Sequence, residues 1–178
     1  PSAFNWGSKV RRYFHENPEL SNQEDKTIER IGQELDAMGI RYEVVPKGGI
    51  IGYIEGTKPG KGKTVLLRAD CDALHVLEKK DNLAGPRVCC SKVDGVMHAC
   101  GHDNHMAMLL GTAKILNDVK DELCGDVRLV FQPAEEVATG ALDMMKENAM
   151  DGVSAIYGVH VWGAYDAPHI AFPIGNIM

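Results

Sequence analysis

The densest concentration of reactive side chains is Met97-His98-Ala99-Cys100-Gly101-His102-Asp103-Asn104-His105, which gathers histidines, a thiol and a carboxylate into one short stretch. Cys100 and His102 are separated only by Gly101, and a glycine lets the backbone bend sharply enough to turn both side chains to one point. Thiolate plus imidazole suits zinc, and imidazole also suits other divalent transition metals. The competing expectation is a His-rich loop that merely hydrogen-bonds and caps the following helix. A second cluster, Gln132-Pro133-Ala134-Glu135-Glu136, sets two adjacent carboxylates after an apolar run. Neighbours in extended chain point to opposite sides, so one carboxylate can hold a metal while the other takes a proton from water. Metal-assisted hydrolysis needs that division of labour. The alternative is a solvated acidic helix start, which the helix dipole favours.

His160 lies in Gly158-Val159-His160-Val161-Trp162, where a single histidine inside an apolar strand is more often a core residue than a ligand. Asp70 and Asp72, in RADCDAL, could fix a ligating imidazole or could be turn carboxylates near Arg68. Cys71, Cys89, Cys90 and Cys124 read as small buried hydrophobes or loop thiols. A structural zinc site made of Cys89, Cys90, His98 and Cys100 is a weaker alternative. Trp6, Arg11, Arg12, His15 and Pro18 form no pattern that spacing interprets.

The elements that must position these groups follow from periodicity. Ser21, with Glu24 three residues on, predicts a capping box for a helix whose stripe is Ile28, Ile31, Leu35 and Met38, ended by Gly39. RYEVVP (41–46) and IIGYIEG (50–56), joined by Lys47-Gly48-Gly49, read as a hairpin. TVLLRAD (64–70) reads as a buried strand, and 79–97 as a long loop. Asp103 is placed to cap a helix carrying Met106, Leu109, Leu110, Ala113 and Leu116. A strand over 126–132, a helix over about 139–149 and a strand over 154–162 complete the series. Strand, helix, strand, helix, strand is the alternation of an α/β domain with a mainly parallel sheet, and such sheets gather ligands at the carboxyl ends of their strands. Asp70 and Asp72, Glu135 and Glu136, and His160 all fall there.

Composition narrows the classes. A chain of 178 residues is enough for one domain or a little more, and 44% hydrophobic residues can build a sizeable core. A formal net charge of −6 is the wrong sign for neutralising phosphates or anionic lipid. No run approaches the roughly 18 apolar residues of a membrane-spanning helix, and the N-terminus lacks the apolar stretch of a secretory signal. Five irregularly spaced cysteines argue against a disulfide framework. A reducing, cytoplasmic setting is the expectation.

RRYFHENPELSNQE, LLRADCDAL, SKVDGVMHACGHDNHMAMLLGTAKIL, RLVFQPAEE and DGVSAIYGVHVWG resemble, in order and spacing, the N-acyl-amino-acid amidohydrolases of the aminoacylase-type metallopeptidase family. That family includes hippurate hydrolases, auxin-conjugate hydrolases and carboxypeptidase-like members. The resemblance implies a three-layer α/β/α metallopeptidase-like catalytic domain with a mainly parallel central sheet. It implies hydrolysis of the amide of an N-acyl amino acid or short peptide, with one or two divalent ions (Zn, Mn, Co or Ni). Carried over, Cys100, His102, Glu136 and His160 match the metal ligands and Glu135 the general base, which takes a proton from the attacking water and later gives it to the leaving amine. His98, Asp103 and His105 match the pattern as support. Asp72-Ala73-Leu74-His75 departs from the family's usual DALP. Full-length members continue into a lid or dimerisation domain, where a homodimer forms, and then complete the catalytic domain with a further ligating histidine. On that comparison residues 1–178 are the N-terminal part of the catalytic domain, incomplete at the C-terminus and lacking those segments. A non-catalytic binding or regulatory module is then the alternative to an enzyme.

Overall fold

The computed structural model describes residues 3–164 and 169–171. Its centre is a five-stranded sheet in the order β1-β2-β6-β3-β7. β1 is Arg41–Val44, β2 Ile50–Ile54, β3 Thr64–Asp70, β6 Val127–Gln132 and β7 Val153–Gly158; β4 (Asp81–Asn82) and β5 (Gly85–Pro86) form a separate two-stranded ribbon. β1 and β2 are the expected hairpin, and β2 runs antiparallel to β6. β6, β3 and β7 run parallel. The sheet is therefore mixed, with a parallel centre.

Four described helices flank it: α1 Ala3–Glu16, α2 Asp25–Ala37, α3 His102–Asp118 and α4 Gly140–Lys146. Side chains alternate between the two faces of the sheet with the period of two that a strand imposes, and both faces are covered. Ile50, Ile54, Ala69, Leu129 and Phe131 pack with Val10 and Phe14 of α1, Ile31 and Leu35 of α2, and Met106 and Leu110 of α3. Ile51, Leu66 and Val130 face the other way, onto Met144 and Ala149 around α4. Helices on both faces give the three expected layers.

Register brings the chemistry together. Asp70 pairs with Gln132 across β3 and β6, and Arg68 pairs with Gly158 across β3 and β7. The carboxyl ends of the three parallel strands thus lie level, and the residues just beyond them share one edge.

Several local expectations are corrected. α1 carries the stripe Trp6, Val10, Tyr13 and Phe14, which Arg11 and Arg12 obscure in the sequence. Ser21 does not cap α2, whose N-cap is Glu24; its hydroxyl donates instead to Asp72 Oδ2 at 2.7 Å. Asp103 does not cap α3, because the helix begins one residue earlier and its N-cap is Gly101. α4 is shorter than the span 139–149. β7 ends at Gly158, so His160 lies beyond the strand and is exposed.

Leu110 is fully buried between α3 and the sheet. Leu110→Ala is expected to lower the unfolding free energy by about 2–5 kcal/mol in urea denaturation. Leu83→Ala, at a fully exposed position, is expected to change it by under about 0.5 kcal/mol.

Candidate metal centre

Cys100 precedes α3 and His102 is its first residue. Gly101 between them has φ +97, and a Cβ there would meet Val161 Cγ2 at 2.5 Å. Only glycine satisfies both the left-handed turn and that close approach. The bend inferred from Cys-Gly-His is real.

His102 is completely buried. Its Nδ1 lies 2.8 Å from the Asp72 carbonyl oxygen, and a carbonyl only accepts, so Nδ1 carries the proton and donates. In the neutral ring Nε2 is then a bare lone pair. No hydrogen-bond partner meets Nε2, nor the buried Glu136 Oε1, although the two lie 3.7 Å apart. Two acceptors facing each other in a buried place repel unless a cation sits between them. Glu135 Oε2 is 3.8 Å from the same nitrogen and Asp70 Oδ2 is 3.6 Å. On the far side, Cys100 Sγ is 3.3 Å from His160 Nε2.

Among the described residues three groups have donor atoms within 4.8 Å of one another: Cys100, His102 and His160; His102, Glu135 and Glu136; and Asp70, His102 and His105. All three include His102, which the carboxylates of Glu135 and Glu136 approach at Nε2. The third is a hydrogen-bonded set, since His105 uses one ring nitrogen on Asp70 at 2.6 Å and the other on the Val161 amide at 2.9 Å. The donor chemistry of Cys100, His102, Glu136 and His160 fits a borderline-soft divalent ion.

Glu135 and Glu136 stand in a turn after β6, not in extended chain. The expectation that they point to opposite sides is therefore corrected: both carboxylates approach His102. They differ in access, Glu135 being 40% and Glu136 20% exposed. The Glu136 amide donates to Asp72 Oδ2 at 3.0 Å, which anchors the turn.

Asp70 and Asp72 are buried, not surface turn carboxylates. Burial works to raise the Asp72 pKa, but bonds from His102, Ser21 and the Glu136 and Glu135 amides outweigh it and bring it to about 2. Burial likewise disfavours a charged His102, yet Asp72, Asp70 and Glu136 raise its pKa. Burial, with Glu136 beside it, pushes the Cys100 thiol up to about 11. The cluster is rich in negative charge, and a bound cation competes with the protons that Cys100 and His102 otherwise hold.

The remaining candidates divide. His98 is buried with no hydrogen-bond partner on either ring nitrogen, and burial lowers its pKa to about 4; it joins none of the three groups. Neither do Cys89 and Cys90, and the Cys89 thiol donates to the Arg12 carbonyl instead. Nothing among the described residues supports the alternative structural zinc site. Asp103 turns away from the ligands, to His15 Nδ1 at 2.8 Å and Arg11 Nε at 2.9 Å. His15 Nε2 reaches Glu78 at 3.0 Å. Arg11, His15, Ser21 and Glu78 thus support the site: the sequence marks Ser21 only as a helix cap and does not single out Glu78, and for Arg11 and His15 the available signal is their spacing of four on α1.

The fold and site together define an α/β domain carrying a cluster of potential metal-donor side chains at the carboxyl ends of its parallel strands. Residues 66–175 match the family described as Peptidase family M20/M25/M40, and the chain belongs to that family. It is 45% identical over 177 residues to Thermostable carboxypeptidase 2 of Saccharolobus solfataricus, covering 97% of this chain and 43% of that protein. It is 48% identical over 162 residues to IAA-amino acid hydrolase ILR1-like 2 of Arabidopsis thaliana, covering 90% and 35%. A Bacillus subtilis crystal structure, described as a dinuclear metal-binding peptidase from the M20 family, superposes with a TM-score of 0.81 at 43% identity, covering 89% of this chain and 43% of that one. The chain spans less than half the length of these relatives.

The His15 pair gives a pH dependence. Asp103 chiefly, and Glu78, raise the His15 pKa from 6.5 against its burial. That stabilisation is complete below about 6.5 and is lost as pH rises through the folded value. Burial opposes ionisation of Asp103, but His15 and Arg11 lower its pKa from 3.8, so its contribution is present above about 3.8 and is lost as pH falls through the folded value. His15→Gln should therefore destabilise the chain most between about pH 4 and 6.5, with the gap narrowing towards pH 9 in denaturant titrations. A gap constant from pH 5 to 9 contradicts the pairing.

Proposed function

We propose that the protein hydrolyses the amide bond of N-acyl amino acids or short peptides at a divalent-metal centre held by Cys100, His102, Glu136 and His160, with Glu135 as general base. One observation carries the reading: the buried lone pairs of His102 Nε2 and Glu136 Oε1, unpartnered and 3.7 Å apart. When bound there, a divalent ion polarises the scissile carbonyl and acidifies water. Glu135 shares the centre with Glu136 but is the more open of the two, which suits a group that must meet water and substrate. Its carboxylate takes a proton as the water oxygen adds to the carbonyl carbon. It then delivers that proton to the amine nitrogen as the carbon–nitrogen bond breaks, releasing a carboxylic acid and an amino acid.

Asp72 supports both halves. Its carbonyl fixes the His102 tautomer and its carboxylate holds the turn that carries Glu136. The names of the relatives, a carboxypeptidase and an IAA-amino acid hydrolase, support an amide of an amino acid as substrate; hippurate-like benzoyl amino acids are candidates within that class. The dinuclear relative supports one or two ions, with Zn, Mn, Co and Ni as candidates. The free cysteines fit a reducing, cytoplasmic setting. No described helix is long and apolar enough to cross a membrane.

Glu135→Gln should retain zinc or manganese while slowing hydrolysis of acetyl-, benzoyl- and indoleacetyl-amino acids by about 100-fold or more. Cys100→Ala and His102→Ala should lose the metal itself. Equal metal loss in all three variants contradicts the division of roles. Full metal content with no turnover on any of these amides, even with a relative's remaining segment supplied in trans, contradicts the activity.

A further inference from the structure

The ligand assignment leaves Arg68, Asp70 and His105 unused, yet they join end to end. Arg68 Nε donates to Gln132 Oε1 at 2.9 Å and its Nη1 to Asp70 Oδ2 at 2.7 Å, which fixes the guanidinium across β3 and β6. Asp70 Oδ1 lies 2.6 Å from His105 Nδ1, and both side chains are buried. His105 Nε2 lies 2.9 Å from the Val161 amide nitrogen.

The donors and acceptors along this chain admit one arrangement. A backbone amide only donates, so His105 Nε2 is the acceptor and its proton sits on Nδ1, where the Asp70 carboxylate accepts it. A backbone carbonyl only accepts, and the Val161 carbonyl lies 2.6 Å from His160 Nδ1. His160 therefore also carries its proton on Nδ1, leaving Nε2 bare, 3.3 Å from Cys100 Sγ. Val161 is the joint: its N–H goes to His105 and its C=O to His160.

Packing alone does not hold this segment. Val159 is 67% and Trp162 66% exposed, and His160 is exposed as well. What seats the segment is the Val161 side chain against Gly101 together with the amide captured by His105.

We propose that Asp70 and His105 are a positioning pair for His160. The carboxylate fixes the His105 tautomer, the bare Nε2 of His105 captures the Val161 amide, and Val161 then presents His160 with its Nε2 turned to Cys100. The inference rests on His160 being a ligand of the proposed centre, and it gives a role to two residues outside the ligand set. Arg68, bonded to Oδ2, aims the Asp70 carboxylate. A histidine at position 105 is required because it accepts from the amide at one nitrogen while donating to a carboxylate at the other.

Nitrogen-15 NMR of the metal-free chain with labelled histidines reads each tautomer through its two-bond couplings. His105 is expected to be protonated at Nδ1 and bare at Nε2; a proton on Nε2 overturns the proposal. Zinc binding by the same chain supplies a second readout. His105→Leu should weaken it about 10–100-fold, and His105→Gln, which keeps an acceptor for the amide, should recover part of the loss. Unchanged zinc affinity in a folded His105→Leu chain also overturns the proposal. The Nδ1–H tautomer and tight zinc without hydrolysis would contradict the proposed activity and leave the positioning pair standing. Hydrolysis by a protein whose His105 carries its proton on Nε2 would do the reverse.

Discussion

His102 is a buried imidazole whose Nδ1 proton is committed to the Asp72 carbonyl. That bond decides the chemistry of everything around it, because it leaves Nε2 as a lone pair where water does not reach. An unpartnered acceptor in such a place is destabilising by itself, and the structure makes matters worse by directing Glu136, Glu135 and Asp70 towards the same nitrogen. A fold tolerates such a cluster when a cation or a proton completes it. The raised pKa of His102 is the proton's version of that completion, and the donor set is suited to a metal's.

The rest of the domain serves to hold four chain segments at one point. The parallel register aligns the ends of β3, β6 and β7, and Gly101 turns the start of α3 into the space beyond them. Asp72 reaches three segments at once, through Ser21, His102 and the Glu136 amide. Burying charged groups this close together is costly unless each is bonded, and the outer ones are. Asp70 has Arg68 and His105, and Asp103 has His15 and Arg11. Two of the buried atoms left bare, His102 Nε2 and Glu136 Oε1, face the proposed ion.

The sequence disclosed the strands and the stretches that carry the candidate ligands because both obey local rules: apolar runs for β3 and β6, and metal-donor residues around a glycine for Cys100 and His102. It also suggested where the carboxylates would gather, since strand ends are where α/β sheets place ligands. Other features were illegible for physical reasons. His15 pairs with Asp103 across 88 positions, and no local pattern encodes such a contact. Ser21 and Asp103 carry the residue types of helix caps, but tertiary partners claimed them. Glu135 and Glu136 fell on the same side because Ala134, with φ +50, turns the chain where an extended continuation was expected. His160 looked like a core residue because its neighbours are apolar, whereas the strand ends before it.

The proposed centre requires a cation between His102 Nε2 and Glu136 Oε1. The direct measurement is anomalous scattering at the zinc or manganese absorption edge, from crystals of the chain equilibrated with that metal. An ion bonded to Cys100 Sγ, His102 Nε2, a Glu136 oxygen and His160 Nε2 at about 2.0–2.3 Å is the expected result. An ordered ion at Cys89, Cys90 and His98 instead, or none near His102 at saturating metal, would contradict it.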